Sequence, residues 1–252
     1  MVAKKLPTVA VVSCATDFGS SSWEPAVLRH AQRTLEQIGG VQLVSSDQVE
    51  QERNLLRHTP PYSEMQLALI ARRLRADAAV DILCVLKAQR KKGMELIACA
   101  RWVNASLGIC TRGGIGKRGI KDASTFANSP LPHTTLLSAV EDAIKEMMRY
   151  QPIRSDVQLQ GRKGTIHLMG GKRVGWKKKM HVAIMRRVYN RERARYEWQL
   201  LGRAKITRVE TFYAVARPIG KRFSTRNPDK AIALFIPPPE FAKLLTKMQS
   251  SR

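Results

Sequence analysis

Residues 114–119, GIGKRG, match G-x-G-x-x-G, the spacing with which a strand–helix turn cradles a pyrophosphate. That chemistry needs the motif between the first strand and helix of a β-α-β unit, with an acid about 20 residues further on. Here the motif follows the last run of a strand meander, and no apolar-periodic helix opens behind it. It therefore reads as a basic loop. A Walker A reading fails too, because Gly116-Lys117 is followed by Arg118 instead of Ser or Thr. An enzyme would have to use the 113–129 loop, with Lys117 and Gly116 as its only nominees. Asp17, after the first strand, is the residue type of a turn or cap. No G-x-S-x-G elbow places a nucleophile. Cys14, Cys84, Cys99 and Cys110 show no C-x-x-C spacing, and the five histidines no i, i+4 pair, so no metal set emerges. The four cysteines read as buried thiols, with a Cys84–Cys99 disulfide as the alternative. The expectation is a protein that is not an enzyme and has no cofactor.

Cations carry the stronger signal. Lys172, Arg173, Lys177, Lys178, Lys179, Arg186, Arg187, Arg191, Arg193 and Arg195, followed by Arg203, Lys205 and Arg208, crowd into 37 residues. Only Glu192 and Glu197 interrupt them. The first ten are the candidate polyanion-binding residues. Trp176, Tyr189, Tyr196 and Trp198 are interspersed, and aromatics among cations stack on bases, anchor at lipid headgroups, or fill the core of a small β-domain. A merely solvated charged face is the competing reading.

The whole chain explains where this run sits. It has 252 residues, is 44% hydrophobic and 25% charged, and carries a net charge of +24. Such a chain can bury a core, and its charge speaks to partners more than to fold. Residues 1–150 hold 20 Lys and Arg against 14 Asp and Glu; residues 151–252 hold 24 against 6. A domain boundary is placed at that shift, giving an α/β domain over 1–150 and a basic β-domain over 151–252.

The apolar pattern gives the elements. Residues 8–14 form a β-branched strand. Val27, Leu28, Ala31, Leu35 and Ile38 mark a helix that Ser21 or Ser22 would cap and Gly39-Gly40 would end. A second strand at 41–47, a polar helix at 47–58 and a helix opened by Ser63 and Glu64 follow. Residues 78–89, 94–103 and 109–114 read as an antiparallel meander, and a Gly, Ser and Pro loop covers 113–132. Leu136, Leu137, Val140, Ala143, Ile144 and Met147 then define the clearest amphipathic helix. From Val157, six short apolar runs separated by glycines and basic turns predict an antiparallel, barrel-like domain. In it the glycines of MGGKRVGWKKKM read as a tight turn between two strands. Residues 186–195 are the one stretch with a helical alternative, and a short helix over 239–248 closes the chain.

The order of features over about 8–236 resembles that of the TolB amino-terminal domain, CsgG and FlgT-like envelope proteins. The first domain carries it in VAVVSC, LEQIGGVQLVSSD, RADAAVDILCVL and LIACARWVNASLGIC. The second carries it in Gly164, Ile166, Gly170 or Gly171, Val174, Gly175, Met180 and Val182, then in LGRAKITRVETFYAVAR and NPDKAIAL. The resemblance implies a mixed-sheet α/β domain followed by a small β-domain, and a non-catalytic scaffold for envelope secretion or flagellar assembly.

The sequence thus supports two functional expectations. One is an envelope scaffold whose basic β-domain meets a polyanion. The other is a cytoplasmic RNA-binding protein using the same face. The expected partners are an anionic surface, an acidic protein or nucleic acid, with self-association left open. No run reaches the ~20 apolar residues of a membrane span. As it stands, the sequence reads as cytoplasmic; an export leader ahead of Met1 would make it an envelope protein.

Overall fold

A computed structural model describes residues 6–18, 23–57, 59–89, 93–120, 134–149, 153–160, 165–192, 194–220 and 231–236. They fall into two units, which divide between Arg149 and Ile153.

The first unit is an α/β layer domain. Strand β1 (Thr8–Thr16) lies between β2 (Gln42–Leu43) and β3 (Ala78–Gln89) and runs parallel to both. β4 (Gly93–Asn104) and β5 (Ile109–Ile120) then add antiparallel, giving the order β2-β1-β3-β4-β5. The central strands are buried on both faces, which is why they read as continuous apolar runs. Helices α1 (Glu24–Ile38) and α4 (Thr134–Arg149) cover one face, while α2 (Ser46–Leu56) and α3 (Glu64–Arg73) cover the other.

Local signals set the helix ends. Pro25 sits in the first turn of α1, and Gly39, at φ 74°, follows its end. The expected caps Ser21 and Ser22 lie outside the described residues. Ser45 caps α2, and Ser63 with Gln66 closes a reciprocal capping box on α3. Six α4 residues, Leu136 to Met147, are fully buried against the sheet at helical spacing. The second strand is shorter than its apolar run suggested, because only Gln42 and Leu43 pair with β1.

Three glutamates occupy backbone N–H groups on the free edge of β5 and on β1 where it runs beyond β2. Glu24 accepts the Cys14 N–H (3.3 Å) and is ion-paired to Arg53 (3.0 Å). Glu64 accepts the Cys110 N–H (3.1 Å), and Glu146 of α4 accepts that of Ile115.

All four cysteines are buried thiols outside any disulfide. Cys84 pairs with Ala98 while Cys99 pairs with Leu83, so the two thiols point to opposite faces of the sheet and cannot bridge. Burial, with Glu64 adding to it, pushes the Cys110 thiol up to about 12 from an ordinary value of 9.0. The unfolded chain ionises first, so this contribution to stability is full below about pH 9 and is lost as pH rises towards 12. The stability difference between wild type and Cys110→Ala in urea is therefore expected to shrink over that interval. A difference that stays constant with pH would contradict it.

The second unit is a closed six-stranded barrel. Its strands are β6 (Arg154–Gln160), β7 (Thr165–Met169), β8 (His181–Asn190), β9 (Arg195–Val209), β10 (Tyr213–Ile219) and β11 (Ala231–Ile236). They run β10-β7-β6-β11-β8-β9 around the barrel, every pair antiparallel. Val157, Ile166, Leu168, Val182, Ile184, Ala204, Ile206, Ala214 and Ala216 are buried in this unit at alternate strand positions.

Two expectations change here. The glycine segment after β7 is not a hairpin turn, because β7 and β8 are opposite staves. Residues 170–180 instead cross one end of the barrel. Gly170 and Gly175 take left-handed conformations at either end of a 3-10 turn, Gly171–Val174. A Cβ on Gly171 would lie 2.2 Å from the Glu210 carbonyl oxygen. Trp176, 2% exposed, is buried at this crossed end and donates its indole N–H to Ser155 Oγ (3.2 Å). Second, the 186–195 stretch is not helical: β8 continues to Asn190, and β9 returns from Arg195 as its antiparallel partner. Period-2 alternation with cross-strand aromatics prevails over the helix-compatible arginines there. The expected closing helix at 239–248 lies outside the described residues.

Candidate functional site

The G-x-G-x-x-G segment lies inside strand β5, not in a loop, and is paired with β4 from Gly113 to Ile120. Gly114 and Gly116 lie two apart and so share a face of the strand, the face that meets α4. A Cβ on Gly116 would sit 1.9 Å from the Ala139 carbonyl oxygen, and one on Gly114 2.0 Å from that of Ala143. These glycines exist for strand–helix contact, which removes the phosphate-cradle reading. The rest of the expected loop, 121–132, lies outside the described residues. Asp17 Oδ1 accepts the Leu86 N–H (2.9 Å) and so ties the end of β1 to β3.

One polar constellation in this unit escaped sequence reasoning. Ser13, Asp81 and Arg101 occupy one row across β1, β3 and β4. The Ser13 hydroxyl donates to Asp81 Oδ1 (2.5 Å), and the Arg101 guanidinium donates to Asp81 Oδ2 and to the Tyr62 carbonyl (3.0 Å). Burial pushes the Arg101 pKa down, but the Asp81 charge and its hydrogen bonds outweigh that, so the guanidinium stays charged. All three side chains are buried, so the network holds the sheet together and presents nothing to a substrate. Period-2 alternation carries no mark for a charge pair inside an apolar run.

The barrel separates the predicted cations into two groups at opposite ends, because β8 runs from one end to the other. At the crossed end lie Lys172 and Arg173 in the 3-10 turn and Lys177, Lys178 and Lys179 beyond it, all exposed. Lys172, Lys177 and Lys178 line a depression of about 620 Å³ together with Trp176, Thr207 and Arg208. Arg208 is paired with Glu210, whereas among the described residues no carboxylate pairs with the other five. Two like charges ~10 Å apart in water repel by only ~0.4 kcal/mol, so the fold tolerates the cluster without an anion. A polyanion that meets five of them together gains from each.

The other group lies on the β8–β9 hairpin. Paired residues share a face, so Arg187, Trp198, Tyr189 and Tyr196 form one ribbon. Tyr189 and Tyr196 meet edge to face at 5.1 Å, the Arg187 guanidinium stacks over Tyr196 at 4.9 Å, and that of Arg154 lies over Trp198 at 5.7 Å. Arg186 and Arg195 lie on the opposite face, where Arg186 bonds Gln199 (3.2 Å) and Arg195 pairs with Glu197 (2.9 Å). Arg191 is exposed in the turn at the tip. Arg193 lies outside the described residues. Composition found the cations; only the stave order shows that they fall into two groups and that Arg208 lies with the first.

The architecture defines a class: a mixed-sheet α/β layer domain joined to a small antiparallel barrel with basic ends. No protein family matches the chain, nor does any curated protein. Among solved structures it is similar to the LpoB C-terminal domain from Salmonella enterica, at 16% identity over 47% of this chain and 87% of that one, with a TM-score of 0.36. Lipoprotein GNA1162 from Neisseria meningitidis is similar at 14% identity over 45% and 81%, TM-score 0.36. A PelC dodecamer from Paraburkholderia phytofirmans is similar at 16% identity over 57% and 92%, TM-score 0.31.

Proposed function

We propose that the chain is a non-catalytic scaffold of the envelope class whose barrel holds a polyanionic partner. The observation that carries this reading is the cluster of five exposed cations, without acidic partners among the described residues, on the segment that crosses the barrel end. The α/β unit by itself offers no comparable cluster among the described residues: glutamates cover the free edge of β5 and the end of β1, and the Asp81–Arg101 pair is buried. The envelope assignment draws on the sequence resemblance to the TolB amino-terminal domain, CsgG and FlgT-like proteins. No helix among the described residues is long and apolar enough to cross a membrane.

A second reading has its own observation. The Arg187, Tyr189, Tyr196 and Trp198 ribbon alternates guanidinium and ring in the manner of surfaces that stack unpaired bases, which favours single-stranded RNA as the polyanion.

Titration of the full chain against heparin, anionic vesicles and single-stranded RNA at rising salt tests both. Binding to at least one probe is expected, weakening steeply as counterions compete. Absence of binding to all three at low salt would refute the polyanion reading. Binding confined to RNA would replace the scaffold reading with the second one.

A further inference from the structure

Three large apolar side chains stand exposed at the crossed end of the barrel: Met169 (40%), Val174 (40%) and Phe212 (59%). The backbone brings these three positions close together. The Gly170 N–H donates to the Phe212 carbonyl at 2.6 Å, and Met169 pairs with Tyr213 across β7 and β10. Val174 closes over Gly170, where an added Cβ would lie 2.6 Å from its Cγ1. The Arg173 guanidinium lies 4.3 Å over the Phe212 ring, and Lys172, Lys177 and Lys178 line the neighbouring depression.

The barrel does not need these tips, since its core is filled by the alternating residues on the other strand faces. Their chemistry selects among polyanions. A nucleic acid would use the cations but bury neither Val174 nor Met169, because aliphatic side chains give bases no ring to stack on. At an anionic bilayer both sets of groups are used. Apolar tips enter the boundary between headgroups and acyl chains, while ammonium and guanidinium groups remain at the level of the phosphates.

We infer that the crossed end of the barrel docks on an anionic lipid surface, with Met169, Val174 and Phe212 inserted and Lys172, Arg173, Lys177 and Lys178 on the headgroups. This rests on the polyanion reading and names the polyanion. The cations supply long-range attraction to the surface, and the apolar tips supply the preference for a bilayer over a soluble polymer of the same charge.

The test uses the full chain and co-sedimentation with vesicles of phosphatidylcholine mixed with phosphatidylglycerol, with pure phosphatidylcholine vesicles and soluble heparin as comparisons. Wild type is expected to bind the mixed vesicles and not the neutral ones. The double substitution Val174→Ser with Phe212→Ser should lower partition about tenfold or more while heparin affinity changes less than about twofold, because only apolar burial is lost. Phe212→Trp, which keeps a ring suited to the interface, should retain wild-type partition and guards against a folding defect in the double variant. Equal vesicle binding by wild type and the double variant would overturn the inference, as would heparin binding without vesicle binding. In both cases the polyanion reading survives. Failure to bind heparin, vesicles and RNA alike would remove both.

Discussion

Replacing Gly116 with alanine is expected to destabilise the α/β unit by about 3 kcal/mol or more, a large part of the roughly 5–15 kcal/mol that holds a domain folded. The added methyl would lie 1.9 Å from the Ala139 carbonyl oxygen and 2.8 Å from its carbon. Both are backbone atoms of α4 and cannot swing aside as a side-chain end would. The helix would have to lift from the sheet, and with it Leu136, Ala139, Val140, Ala143, Ile144 and Met147, all fully buried. Gly114→Ala should behave alike, since its methyl would meet Ala143 O at 2.0 Å and Met147 N at 2.4 Å. Gly119 is the internal control. It lies on the same strand with nothing within 4 Å of an added Cβ, so Gly119→Ala should change stability by less than about 1 kcal/mol. Urea denaturation followed by circular dichroism measures all three. Equal effects at Gly116 and Gly119 would show that α4 does not seat against β5 as described.

The second large effect is expected at the buried ion pair. Arg101→Met leaves the Asp81 carboxylate in the core with the Ser13 hydroxyl, and should cost about 3–5 kcal/mol, the usual penalty for an orphaned buried charge. Asp81→Leu orphans the guanidinium and should cost as much. With both substitutions together the ion pair is gone from the core, and the residual loss is the ~1–3 kcal/mol of the hydrogen bonds that Ser13 and Arg101 made. The double variant should therefore be more stable than either single one, and the coupling is read from a double-mutant cycle in denaturant. Strictly additive losses would mean that the two groups do not compensate each other.

These two sites mark where sequence reading succeeded and where it stopped. The α/β layer domain followed by an antiparallel barrel was legible because period-2 and period-3.6 apolar patterns report directly which face is buried. The Ser63 cap and the α4 stripe were legible for the same reason. The glycines of β5 were not, since G-x-G-x-x-G is shared by phosphate turns and by strands that must approach a helix closely; only the position of α4 separates the two. The Asp81–Arg101 pair was invisible because two residues 20 apart in sequence become neighbours only through the β3–β4 register. For the candidate site, charge density named the residues but not their grouping. Lys172 and Arg195 read as one run, yet the barrel sends them to opposite ends. Met169 and Phe212 carry no mark in the sequence because isolated apolar residues beside strand ends look like strand ends, and Val174 reads there only as part of the glycine turn.

The central claim, that the crossed end of the barrel is where a polyanion is held, is tested most directly by the salt slope of binding. The variant Lys172→Gln, Lys177→Gln, Lys178→Gln and Arg208→Gln removes cations lining one depression without touching the core. Against anionic vesicles or heparin, log K against log salt should be visibly shallower for this variant than for wild type. The matching hairpin variant, Arg187→Gln with Arg191→Gln and Arg195→Gln, should stay close to the wild-type slope. A wild-type slope that persists in the first variant and flattens in the second would contradict the account and move the binding site to the hairpin.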